Sequence, residues 1–243
     1  MKIASESNPA PARKRVQPLR ALRAIRALIR NPDDTPKVFE IIDALSGNAG
    51  ELTFQRFRAT QSGRQILAEK RRLLDVLDDR QRLMALPHGT LGRTYAEFVE
   101  REQITGQGLA DASQAGRRVE LDPERQLFFE RLRDMHDLWH VVSGYGRDLL
   151  GEAALLAFSY AQTRNRGVGF IVAVAWLRAR GEAAAGRPMM AEGFRRGRRA
   201  RWLPAEDWEA LLEEPLSAVR QKLGLGDPPA YAPVRSAGAP ALA

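Results

Sequence analysis

Apolar side chains recur along this chain at intervals of three and four residues, and no stretch alternates with the two-residue period of a half-buried strand. The pattern predicts an all-α protein. The first periodic segment is QPLRALRAIRALIR, where Leu19, Leu22, Ile25, Leu28 and Ile29 form an apolar stripe flanked by Arg20, Arg23, Arg26 and Arg30. A second helix opens at Thr35-Pro36, carries Val38, Phe39, Ile42 and Leu45, and stops at Gly47. Further helices are expected at about 63–77 and 91–103. The latter follows a turn built on Pro87, Gly89 and Gly92 and points Tyr95, Phe98 and Val99 inward.

Asp122-Pro123 supplies an N-cap acceptor and an N1 proline for a long helix whose core stripe is Phe128, Leu132, Met135, Trp139 and Val142. Ser143-Gly144-Tyr145-Gly146 breaks it. Asp148 then caps a helix with Leu149, Glu152, Leu155 and Leu156 on one face. Gly167–Arg180 reads as a helix apolar almost all round, either buried or lining a lipid pocket. Short helices follow Leu203 and end near Gly224. The pattern amounts to about eight to ten helices in a single domain over residues 15–226. A polar basic tail at 1–14 and a Pro/Ala-rich tail at 227–243 are expected to be disordered.

The candidate chemistry lies on the long helix and its successor. His136 and His140 stand at i and i+4, so both imidazoles project from one face at the spacing by which two histidines chelate one ion. Asp137 sits beside the first, and Glu152 follows His140 after eleven intervening residues. These four side chains form an N/O ligand set that suits Zn²⁺, and the same ligand types suit Fe²⁺. Glu152 falls on an apolar face, where a buried unpaired carboxylate costs several kcal/mol and needs a cation, either an Arg or a metal. It also lies near a helix N-terminus, which favours a carboxylate with or without a metal. His88, in the loop before the Tyr95 helix, reads as a surface histidine.

Composition narrows the function classes. The chain has 243 residues and no cysteine, which excludes disulfides, iron–sulfur clusters and a thiol nucleophile. A net charge of +8, carried mainly by Arg, favours an anionic partner. No aromatic residues interleave with the basic runs and no groove-reading module is present, so a membrane surface or carboxylate ligand is favoured over nucleic acid. The run Gly169–Leu177 falls far short of the ~20 residues of a membrane span. The N-terminal helix can be a core helix with a solvated basic face or a contact for an anionic bilayer. The same choice applies to Arg195, Arg196, Arg198, Arg199 and Arg201.

The H-D-x-x-H-x(11)-E run of His136, Asp137, His140 and Glu152 resembles the signature of one family. So do Leu86-Pro87, Gly89-Thr90-Leu91-Gly92-Arg93, Tyr95 with Phe98, Gly197-Arg198-Arg199-Ala200 and Trp208-Glu209. Gly151-Glu152 and Gln162-Thr163 fit as well. Over residues 17–226 the chain is similar to the ubiquinone (coenzyme Q) biosynthesis proteins called Coq-four. The resemblance implies an all-helical peripheral membrane protein that ligates zinc through the four motif residues. It implies a polyprenylated hydroxybenzoate-type quinone precursor as ligand and other ubiquinone-biosynthesis enzymes as partners. A homo-oligomer is expected. Members are described as lyases that exchange the ring C1 carboxylate for hydroxyl, which would make Asp137 and Glu152 catalytic, and also as non-catalytic scaffolds with a structural metal. On this reading Leu155, Leu156, Phe170 and Trp176 receive the isoprenoid tail. With no clear presequence, the expected location is the bacterial cytoplasm at the inner membrane, or the matrix side of the mitochondrial inner membrane if the source is eukaryotic. A zinc peptidase is the rival from another class, but Asp137 is one methylene shorter than the Glu of H-E-x-x-H and reaches a metal-bound water less well.

Overall fold

The computed structural model describes residues 15–104, 121–180 and 184–234. Among them are thirteen α-helices, one 3-10 turn and no strand. In order these are α1 Pro18–Arg30, α2 Thr35–Leu45, α3 Ala49–Ala59, α4 Gln61–Glu69, α5 Leu73–Leu77, α6 Arg80–Ala85 and α7 Leu91–Arg101. Then follow α8 Pro123–Ser143, α9 Leu149–Thr163, α10 Arg166–Arg178, α11 Gly186–Arg199, the 3-10 turn Leu203–Ala205, α12 Trp208–Leu211 and α13 Leu216–Leu223. The all-α expectation holds, with more and shorter helices than expected.

Three differences have physical causes. The segment expected as one helix over 63–77 is two. Lys70 adopts a left-handed conformation (φ 53) that ends α4, and Arg71 N–H closes back on Ile66 O at 3.1 Å. The Arg71 guanidinium then reaches Asp207 at 2.8 and 3.1 Å. The helix α11 was not expected, because glycines hold three of its five buried positions, Gly186, Gly193 and Gly197, beside Met189 and Met190. It is held by backbone proximity: a Cβ on Gly193 would lie 2.2 Å from Ala154 O, and one on Gly197 would lie 2.6 Å from Phe158 O. The glycines let α11 lie directly on α9. Finally, α10 is not enclosed all round. It buries Gly167, Val168 and Ile171 and leaves Trp176 and Leu177 40% and 63% exposed.

The core forms around α8. Met135, Leu138, Trp139 and Val142 join Tyr95 and Phe98 of α7, Leu155 and Phe158 of α9, Trp208 of α12 and Val219 of α13. Phe54, Phe57 and Phe128 make a second cluster, and Ala24, Ile25, Ile41 and Ile171 a third where α1 and α2 meet α10. A buried ion pair ties α12 to α8: the Arg131 guanidinium, 1% exposed, donates to both Glu209 oxygens at 2.5 and 2.9 Å and to Arg71 O at 3.0 Å.

In α1, Ile25 and Leu28 of the predicted stripe are buried together with Ala21 and Ala24, while Leu19, Leu22 and Ile29 remain exposed. Arg196 is not part of a solvated face. It donates to Ser143 O, Leu225 O and Asp227 O. Residues 227–234, expected to be a disordered tail, make defined contacts across the α8–α9 loop; 1–14 and 235–243 lie outside the described residues.

Candidate metal centre

The last two turns of α8 carry the histidine pair. The Asp122 cap and Pro123 set the start of this helix, and Gly144, at φ +77, ends it in the left-handed conformation. The chain then needs only Tyr145, Gly146 and Arg147 before Asp148 caps α9, accepting from Leu150 N and Gly151 N. This tight connection returns the first turn of α9, with Glu152, to the end of α8.

One donor atom from each of His136, Asp137 and His140 falls within 4.8 Å of the others. The two imidazole centroids are 4.9 Å apart, and His136 Nδ1 lies 3.3 Å from Asp137 Oδ1. Glu152 joins from α9, with Oε1 3.5 Å from His140 Nε2. His140 and Asp137 are buried, and a third of the Glu152 side chain (33%) is exposed. The Phe98 ring stacks on His140 at 5.7 Å and closes the α7 side.

The proton on His140 is placed by its neighbours. Its Nδ1 lies 2.9 Å from Tyr145 O. A carbonyl only accepts, so Nδ1 is the donor, and the neutral ring presents the Nε2 lone pair towards Glu152. That Nε2 is buried and has no hydrogen-bond partner. Two acceptors facing each other inside the protein require a cation between them. In the metal-free protein a proton answers this need. Burial opposes charge on His140, but Glu152 outweighs it and raises the histidine above its ordinary value. Burial likewise opposes ionisation of Glu152, but His140, His136 and Arg147 pull its carboxyl down to about 2. Asp137 is also held below the ordinary carboxylate range, as His136 overcomes its burial.

A divalent ion answers the same need. A buried imidazole lone pair, oriented from its far nitrogen by a carbonyl, is the arrangement that metal-ligating histidines adopt. The donor set fits Zn²⁺ or Fe²⁺. The other cation foreseen for Glu152, an arginine, is also present: Arg147 Nε approaches Oε1 at 3.7 Å.

Neither Arg147 nor the Tyr145 carbonyl was singled out in the sequence, where Ser143–Gly146 reads only as a helix break. Asp134, one turn before Asp137, belongs to no motif in the sequence; burial, opposed by Arg133, pushes its carboxyl up to about 6. His88 is a surface histidine, 3.4 Å from Glu97. The four residues expected to take an isoprenoid tail are spread over different parts of the fold. Leu155 is sealed in the main core, Leu156 and Phe170 pack on the α1–α2 cluster, and Trp176 lies at the surface near Arg187.

An all-helical domain that brings two histidines and two carboxylates to one helix junction is thus defined by its fold and its side chains. The family model described as "Coenzyme Q (ubiquinone) biosynthesis protein Coq4" matches residues 15–229, and the chain belongs to that family. The mitochondrial ubiquinone biosynthesis protein coq4 of Schizosaccharomyces japonicus is 30% identical, over 80% of this chain and 82% of that protein. The Neurospora crassa protein coq-4, mitochondrial, is 30% identical over 72% of this chain; the chain spans 49% of that relative's length. The homologue from Rattus norvegicus is 29% identical over 70% of this chain and 63% of its own. A crystal structure of a Nostoc punctiforme protein, whose description links it to ubiquinone biosynthesis, shares the fold. Its TM-score is 0.64 at 23% identity, over 88% of this chain and all of that one.

Proposed function

We propose that this chain holds one divalent cation, Zn²⁺ or Fe²⁺, through His136, Asp137, His140 and Glu152, and acts in ubiquinone biosynthesis on the ring of a polyprenylated hydroxybenzoate-type precursor. The reaction would exchange the C1 carboxylate for hydroxyl with loss of CO₂. It is a net oxidation, so an oxidant such as molecular oxygen is a co-substrate. The observation that carries this reading is the orphaned, buried His140 Nε2 aimed at Glu152.

When bound, the cation supplies Lewis acidity towards a ring carboxylate or phenolate. The chain's own residues do the rest. The Tyr145 carbonyl fixes the His140 tautomer, and Phe98 shields the imidazole from water. Arg147, one-third exposed at the edge of the cluster, offers a guanidinium to an incoming carboxylate. Asp137 is buried and held ionised beside His136, which keeps its carboxylate available as a ligand.

No described helix is long and apolar enough to cross a membrane. The exposed Leu19, Leu22 and Ile29 alternate with Arg23, Arg26 and Arg30 around α1, with exposed Val16 just before it, which supports docking of that face on an anionic bilayer.

A strain lacking the protein should accumulate a ring precursor that retains its carboxyl group, and Asp137→Ala or Glu152→Ala should fail to clear it. Full rescue by a folded, metal-free variant would overturn the catalytic reading and leave a scaffold.

A further inference from the structure

Residues 227–234 leave α13 and cross the α8–α9 loop. Pro228 covers Gly144, where an added Cβ would meet its Cβ at 2.3 Å. The Tyr231 hydroxyl then spans the loop: it accepts from Gly146 N at 2.8 Å and donates to Asp148 Oδ2 at 2.6 Å. Val234 donates to Asp148 Oδ1 at 3.1 Å, and its carbonyl accepts from Leu149 N at 2.7 Å. A side chain on Gly151 would strike both Gly146 O (2.1 Å) and the Tyr231 hydroxyl (2.6 Å), so loop, strap and first turn of α9 meet without slack. Arg196 anchors the start of the strap, donating to Ser143 O at 2.8 Å and Asp227 O at 3.2 Å.

The clamped loop carries Tyr145, whose carbonyl orients His140, and Arg147, which approaches Glu152. Asp148, the clamped cap, fixes the first turn of α9, which bears Glu152. The covalent turn that joins His140 to Glu152 is therefore the segment Tyr231 holds. Tyr231 and Val234 lie beyond residues 15–229, which match the family.

We infer that residues 227–234 are a strap that positions the metal centre, with the Tyr231 hydroxyl as its positioning group. This rests on the metal reading above. Hydrogen bonds that hold a ligand's supporting groups commonly change metal affinity by about 10–100-fold. Tyr231→Phe removes the bridge while keeping the ring, so its effect falls at the lower end, about tenfold. Binding linkage is reciprocal. If the strap raises affinity for the metal tenfold, the metal must close the strap by the same factor.

The test uses the full chain. Zn²⁺ affinity, by competition with a chromophoric chelator, should weaken about tenfold in Tyr231→Phe. The visible bands of the Co²⁺-loaded protein should shift in the variant. In the unmodified protein Zn²⁺ should slow amide exchange of Val234 and Leu149 by about the same factor. This last measurement needs no variant and stands even if Tyr231→Phe misfolds. Zn²⁺ binding to the unmodified chain with no change in strap exchange would overturn the strap and leave the metal centre intact. A Tyr231→Phe protein with unaltered affinity and Co²⁺ bands would do the same. Failure of the unmodified chain to bind Zn²⁺ or Co²⁺ would overturn the metal reading and the strap with it.

Discussion

Replacing Glu152 by Gln keeps the side chain's shape and removes its charge, which isolates the carboxylate's contribution to the metal-free fold. Burial disfavours that charge, yet His140, His136 and Arg147 hold the carboxyl at about 2 against an ordinary 4.5. At about 1.4 kcal/mol per pH unit the difference corresponds to about 3 kcal/mol. With 33% of the side chain exposed, solvent screening reduces this to about 1–2 kcal/mol. A lowered carboxyl contributes stability that is present above its unfolded value, near 4.5, and lost as pH falls through about 2. His140 is raised from 6.5, so its share is present below that value and lost as pH rises through the folded one. The pair therefore stabilises most between about pH 4.5 and 6.5. In urea unfolding of chelator-treated protein, Glu152→Gln should cost about 1–2 kcal/mol near pH 5.5, and less near pH 2 and once pH has risen past the folded His140 value. With Zn²⁺ in place of the proton, the cost should reappear at alkaline pH. A metal-free cost that stays level from about pH 5.5 up to the onset of alkaline unfolding would refute the His140 pairing and assign Glu152 to Arg147 alone.

Glu209→Ala leaves the Arg131 guanidinium buried without its partner and should cost about 3–5 kcal/mol in urea unfolding, with Arg131→Met costing less. Gly193→Ala drives a methyl into Ala154 O and should cost at least about 1–3 kcal/mol and lower the melting temperature, since backbone rather than a side-chain tip must move. Vesicles of anionic lipid should carry the protein upward on flotation at low salt and release it at high salt, and Leu19→Glu with Leu22→Glu should weaken that binding.

The long helix was legible to within a residue because Asp122, Pro123 and Gly144 each have one dominant structural use, and the stripe from Phe128 to Val142 has a single period. Asp148 was legible as a cap for the same reason. The histidine pair followed from the helix, since i and i+4 fix one face wherever the helix goes. What the pattern concealed was tertiary. Nothing in GFRRGRR announces a helix, because α11 is secured by the absence of side chains at Gly193 and Gly197. Leu155 and Leu156 are equivalent in the sequence, yet α9 turns one into the central core and the other towards α1 and α2. The 227–234 strap reads as a Pro/Ala tail because its order comes from Tyr231 and from the Val234 N–H and C=O, which meet Asp148 and Leu149, partners more than eighty positions away.

Titration of the chelator-treated chain with Zn²⁺, read by competition and elemental analysis, tests most directly whether one ion binds at the α8–α9 junction. One equivalent per chain is expected, with a loss of affinity in His140→Ala well beyond the tenfold assigned to Tyr231→Phe. Full stoichiometry with unchanged affinity in His140→Ala would contradict it.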